Sequence, residues 1–214
     1  GGPSTRMGNM AGYRAAFIEA AAYRKKWDIY EQGGRKGDAP DQDLANDTLA
    51  GVLRGDITVN IHCYRADEMV QMIDMSKEFG FQISSFHHGI EAYKIADTLA
   101  QEKICGALWA DWWGFKMEAY DGIEENIALV DRPQGGCAIV HSDSAEGIQH
   151  LNQEAAKVIA SSARVGIVIT PEHAIQWITS NPAKAMRIDN QTGTLQAGKM
   201  ADVVVWNGTP FSTY

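Results

Sequence analysis

Residues 57–88 read ITVNIHCYRADEMVQMIDMSKEFGFQISSFHH, and this stretch decides the fold. In Ile57–His62 apolar and polar side chains alternate. Ile57, Val59 and Ile61 fall on one face and Thr58, Asn60 and His62 on the other, the pattern of a half-buried strand. Residues 66–79 change to a helical spacing. Residues 81–88 return to a strand, with Gln82, Ser84, Phe86 and His88 sharing one face and Phe81, Ile83, Ser85 and His87 the other. A strand, a crossover helix and a second strand within about thirty residues make a βαβ unit with parallel strands.

The same rhythm continues toward the C-terminus. A helix is expected over 91–101, a strand over 104–108, another strand over 137–141, and helical segments over 145–162 and 171–179. Toward the N-terminus, Tyr13, Phe17, Ala20, Trp27 and Tyr30 recur at helical spacing from Asn9, a plausible cap, to Gly33-Gly34. A loop over 32–41 separates this helix from a shorter one around Leu44–Leu53. Strands alternating with helices make this an α/β chain, built either as a doubly wound sheet or as a (β/α) barrel. Four such strands would supply half of an eight-stranded barrel.

After Asn181-Pro182, read as a cap followed by proline at the first helical position, the pattern changes. Gly193, Gly198 and Asn207-Gly208 punctuate short β segments, of which Ala201–Trp206 is the strongest. The organisation expected is therefore a barrel portion over 1–186 and a partial β appendage over 187–214.

The chain has 214 residues, 45% hydrophobic and 21% charged, with a formal charge of −8. That charge and the lack of a Lys/Arg run argue against a nucleic-acid surface. No apolar stretch approaches the roughly 20 residues that cross a bilayer. Cys63, Cys105 and Cys137 are too few and too scattered for a disulfide framework or a cysteine zinc site, so each is expected to be a small buried hydrophobe. The compartment stays open.

Candidate chemistry sits at strand ends. His62 and His88 each close a strand on its more polar side, one βα unit apart, and Asp143 follows the strand at 137–141. In a barrel these ends form the mouth where active sites lie. Two neutral imidazoles and a carboxylate can hold a zinc-like ion while leaving a coordination position open. Such an ion activates water, and Asp143 beside it could carry the proton. His87 competes with His88, and His141, which shares parity with Asp143, could face the site or belong to the core. Tyr64 and Arg65, which follow His62, and Trp112 and Trp113, in the long stretch before the last strand, are candidate substrate contacts. Arg65 could clamp a carboxylate. The competing readings for these are surface and packing roles.

These residues also carry a resemblance. The segments His62–Glu68, His88–Lys94, His141–Ser144, Asn181–Ala185 and Thr192–Val204 resemble the amidohydrolase superfamily, in particular its imidazolonepropionase-like and Xaa-Pro dipeptidase-like branch. The resemblance implies a partial (β/α)8 TIM-type barrel, about strands five to eight, with part of a small C-terminal β-sandwich. It implies His62 and His88 as metal ligands on strands five and six, and Asp143 as the strand-eight carboxylate, both ligand and proton shuttle. Expected cofactors are one or two divalent ions, zinc first, and the expected substrate is a small amide, cyclic amide or dipeptide. The family's His-x-His pair and strand-four Lys or Glu have no counterpart here, so the chain is read as a C-terminal portion that by itself binds metal weakly, if at all, and has little activity. The alternative is a non-catalytic binding or assembly module. Open barrel edges would favour association, including homo-oligomers.

Overall fold

The computed structural model describes residues 3–212. The chain divides into two compact units: one holds the residues up to Val59 together with Val70–Ile83, and the other holds Asn60–Met69 and the chain from Ser84 onward.

In the first unit, helix α1 spans Arg6–Gln32 and α2 spans Leu44–Arg54. Helix α1 starts one turn earlier than its apolar spacing predicts. Thr5, not Asn9, is the cap, its hydroxyl accepting from the Gly8 N–H at 3.0 Å. Asp43 caps α2 in the same way, and Gly55 ends it in the left-handed conformation (φ +82°) that only glycine adopts without a steric cost. Phe17 of α1 stacks on Phe79 and Phe81 with ring centroids 5.4 and 4.5 Å apart. The Tyr23 hydroxyl donates to the Asp47 carboxylate at 2.7 Å, tying α1 to α2.

The sheet has strands β1 (Val59–Cys63), β2 (Ile83–His88), β3 (Cys105–Leu108) and β4 (Ala138–Val140), in the order β1-β2-β3-β4. β2 pairs with β3 and β3 with β4 in parallel. The order follows the chain without reversal. A doubly wound sheet reverses at its switch point, so among the described residues the winding is that of a partial (β/α) barrel. Strands β3 and β4 are buried along their whole length, as expected of parallel strands covered on both faces.

Helix α3 covers Ala66–Phe79, as the spacing predicts. The helix expected over 91–101 is split into a 3-10 turn, Ala92–Ile95, and α4, Ala96–Gln101. A further helix, α5 (Asn126–Asp131), lies in the β3–β4 connection, where no periodic apolar stripe predicts one. After β4 come a 3-10 turn at Gly147–His150, α6 (Leu151–Arg164), α7 (Pro171–Ala174), a 3-10 turn at Ile175–Ile178 and α8 (Ser180–Ala185). Asn181 lies inside α8 and is not its cap. Its amide donates to the Ala138 carbonyl at 2.8 Å, fastening the helix to β4.

Two expectations are corrected. Cys105 and Cys137 form a disulfide, with Cα atoms 4.6 Å apart. The register that pairs Gly106 with Ala138 sets the preceding residues side by side, although they are 32 apart in sequence. They pack with Ala107, Ile139 and Ala185 on one face of the sheet. Among the described residues no β appendage forms after α8 either. Left-handed glycines turn the chain at 193, 198 and 208, but Ala201–Trp206 is irregular, and Val203, Val204 and Val205 are exposed. A strand gains its stability from a neighbouring strand's backbone hydrogen bonds, and the contact given for this segment is a side-chain one, the Thr192 hydroxyl donating to the Asp202 carboxylate at 2.8 Å. The last two residues of the expected appendage lie outside the described residues.

Candidate functional site

The site is built at the C-terminal ends of the strands. His62, exposed, is the penultimate residue of β1. His88 ends β2, and β4 runs out into His141, whose N–H extends the ladder by donating to the Leu108 carbonyl at 3.0 Å. Asp143 follows two residues later.

Strand alternation does not by itself bring these groups together. The Ser85 hydroxyl donates to the side-chain amide oxygen Oδ1 of Asn60 at 2.6 Å, so Ser85 shares a side of the sheet with Asn60. By period-two alternation His62 and His87 would share that side. His88 joins them through its backbone, which is left-handed at φ +70°. That conformation costs a residue with a β-carbon about 1–2 kcal/mol.

The result is a close set of donors. His88 Nδ1 lies 3.0 Å from His141 Nε2 and 3.3 Å from an Asp143 carboxylate oxygen, and His141 Nε2 is 3.7 Å from the other oxygen. One donor atom from each of the three residues falls within 4.8 Å of the others. A tetrahedral ion with ligands 2.0–2.2 Å away separates its donors by roughly 3.2–3.6 Å, and the separations here, from 3.0 to 3.7 Å with the two Asp143 distances running to different oxygens, lie around that range. Burial pushes the His88 imidazole down to about 4, outweighing the pull of Asp143, with His141 and the other neighbouring imidazoles lowering it further. Burial also lowers His87 and His141. His88 Nδ1 and His141 Nε2 share a hydrogen bond, so one of them carries a proton, and a change of tautomer in that neutral ring frees its lone pair for a metal. The Asp143 side chain is 44% exposed, so the group opens on its side.

His62 adds an imidazole whose ring centroid is 4.4 Å from that of His88, beside the three-donor group. His141, left open by the sequence, enters the group directly. His87 contributes ring contacts, 5.6 Å from His141 and 6.1 Å from His88.

Aromatic rings surround the imidazoles. Trp109, just past β3 and 3% exposed, packs 4.8 Å from His88 and lies nearly parallel to His141 at 5.9 Å. Its indole N–H is buried without a hydrogen-bond partner. Tyr64 is 5.9 Å from His88, and Lys116 Nζ sits 4.1 Å over the Tyr64 ring. Trp112 and Phe115 flank Trp109 at 5.0 and 5.8 Å and are half exposed. Trp113 packs against the buried cluster of Tyr64, Ile90, Trp109 and Ala119. Of the tryptophans, Trp109 thus reaches the site most directly. The Arg65 guanidinium makes two hydrogen bonds to Asp67, at 2.9 and 3.0 Å, so it is already engaged by a carboxylate of its own chain.

Cys63 lies next to His62 but is buried, and burial, with Glu68 adding, pushes its thiol up to about 12. The thiolate is therefore disfavoured. Iodoacetamide at pH 8.5 is expected to leave Cys63 unmodified in the folded chain and to label it on unfolding, with Cys105 and Cys137 labelled only after reduction. Rapid labelling of native Cys63 would contradict this burial.

Residues 126–213 match the family model described as Amidohydrolase family. Over 97% of its length the chain is 32% identical to Amidohydrolase tasK of Hapsidospora irregularis. The solved structure of an amidohydrolase from Thermotoga maritima MSB8 superposes on 98% of the chain with a TM-score of 0.84 and 30% identity. The chain belongs to the amidohydrolase superfamily. Within it, 41 residues are 49% identical to the imidazolonepropionase of Shewanella frigidimarina, a match to 19% of this chain and 10% of that enzyme. This amidohydrolase chain spans 22% of the length of the Hapsidospora relative and 52% of the Thermotoga structure. Among the described residues no helix is long and apolar enough to cross a membrane.

Proposed function

We propose that this chain supplies a metal centre for hydrolysis of a carbon–nitrogen bond in a small amide, cyclic amide or dipeptide. The observation that carries this reading is the convergence of His88, His141 and Asp143 at a mouth opening toward solvent, with His62 alongside. Nitrogen and carboxylate donors in tetrahedral spacing suit zinc. An ion held by these residues would supply Lewis acidity to a water and to the substrate carbonyl.

The chain's own groups do the rest. The two imidazoles, neutral through burial, act as donors and not as acids. Asp143 is the proton carrier: part-exposed and 3.3 Å from His88, it accepts a proton from the attacking water and returns it to the departing amine. Trp109 screens the imidazole pair from water on one side, and Tyr64, Trp112 and Phe115 offer aromatic surface to the part of the substrate next to the scissile bond. Trp113 and Arg65 shape this surface through packing and through Asp67. A second ion would draw on ligands beyond the three-donor group.

The test is metal content. The purified chain, stripped with chelator and titrated with zinc or cobalt, is expected to bind one ion weakly, and a panel of amides and dipeptides is expected to show little turnover by the chain alone. A chain that retains no zinc or cobalt at micromolar free metal would overturn the proposal and favour a non-catalytic assembly module.

A further inference from the structure

His88 holds a left-handed backbone at the end of β2, and the following Gly89 also has positive φ, at +22°. A β-carbon at Gly89 would meet Leu108 Cδ2 at 2.6 Å, so the chain passes close over β3 as it leaves the sheet. Strand pairing ends at His88, and beyond it something other than the ladder must fix the exit. Asn126 does so from the opposite side. It is the first residue of α5, it is 3% exposed, and its side chain is spent on this exit. Its Nδ2 donates to the Gly89 carbonyl at 2.9 Å and the Ile90 carbonyl at 3.2 Å, and its Oδ1 accepts from the Tyr93 N–H at 2.9 Å. Two donors and an acceptor on one planar amide match these three backbone groups in a way that few other side chains could.

We propose that Asn126 is a positioning residue for His88: it locks the β2 exit in the left-handed conformation that turns the imidazole toward His141 and Asp143. The role rests on the metal-centre reading above for its purpose, but not for its geometry. Asn126 touches no donor atom itself. It acts through the peptide groups on either side of the bend, as outer-shell partners commonly orient a ligand.

Asn126→Ala removes all three bonds. Asn126→Asp keeps the shape and the acceptor but cannot donate, and sets a carboxylate against the two carbonyls. If Asn126 positions His88 by donating, Asp, which loses both donated bonds, will be as damaging as Ala. Cobalt affinity, measured by titration of the whole chain, is expected to fall roughly 10- to 100-fold in both variants. Ser76→Ala, which removes a buried hydroxyl bonded to the Ile73 carbonyl elsewhere in the chain, should leave it unchanged. Hydrogen exchange over residues 89–93 is read in the same metal-free samples and should quicken in both Asn126 variants but not in Ser76→Ala. Cobalt affinity at the wild-type value in Asn126→Asp, or unchanged protection of 89–93 in either variant, overturns the proposal. Should the wild-type chain bind no cobalt, the metal-centre reading fails, and the exchange measurement alone then decides the role of Asn126.

Discussion

Replacing His88 by Ala, or Asp143 by Asn, is expected to weaken zinc or cobalt binding by roughly 100-fold or more, since even outer-shell changes cost about 10- to 100-fold. The reason is geometric. His88 Nδ1 is the hub of the group, the atom closest both to His141 Nε2, at 3.0 Å, and to Asp143, at 3.3 Å. Removing it leaves two donors, 3.7 Å apart, where three converge. Asp143→Asn keeps the shape but removes the charge that balances a dication, and with it the proton carrier. His141→Ala should resemble His88→Ala. His62→Ala should be milder, about tenfold, because its ring packs beside His88 but contributes no atom to the three-donor group. Competition against a chromophoric chelator measures all four. Abolition of binding by His62→Ala together with wild-type affinity in His141→Ala would move the centre to the imidazoles of β1 and β2 and sink this assignment.

Reduction of the Cys105–Cys137 disulfide is the second large effect. The bond closes a loop 32 residues in sequence separation, for which loop-closure entropy gives roughly 3–4 kcal/mol. In a chain of this size a change of 1 kcal/mol moves Tm by about 2–4 °C, so the reduced chain should melt about 6–16 °C below the oxidised one. The effect would reach the site as well as the fold. The bridge sits one residue before the paired Gly106 and Ala138, at the opposite end of β3 and β4 from Trp109 and His141. Looser pairing there should weaken cobalt binding in parallel with stability. Differential scanning calorimetry with and without reductant is the check. Equal melting temperatures, with the thiol count confirming oxidation in one sample only, would show that strand pairing alone carries this stability.

Much of the architecture was legible because it rests on local patterning. Ala66–Phe79 is helical where the spacing changes, and β2 ends at His88 where the alternation ends. The α1 cap was misread because Thr5 and Asn9 are both good caps, and which one is used depends on where the first turn closes. The short α5, six residues long, was missed because it is held by its surroundings and not by a periodic apolar stripe. Ala201–Trp206 failed in the opposite direction. Its β propensity is high, but propensity has no effect without a neighbouring strand.

The sequence by itself determined the parallel βα rhythm, the strand-end placement of His62, His88 and Asp143, and the family resemblance, because each depends on residue types a few positions apart. Tertiary structure alone decided which donors meet. His88 turns inward through a left-handed bend set by contacts from α5, about forty residues away. His141 rather than His62 completes the closest group, and Trp109 closes over it. Cys105 finds Cys137 only through strand register. In each case the deciding contact is long-range, so alternation along a single strand could not reveal it.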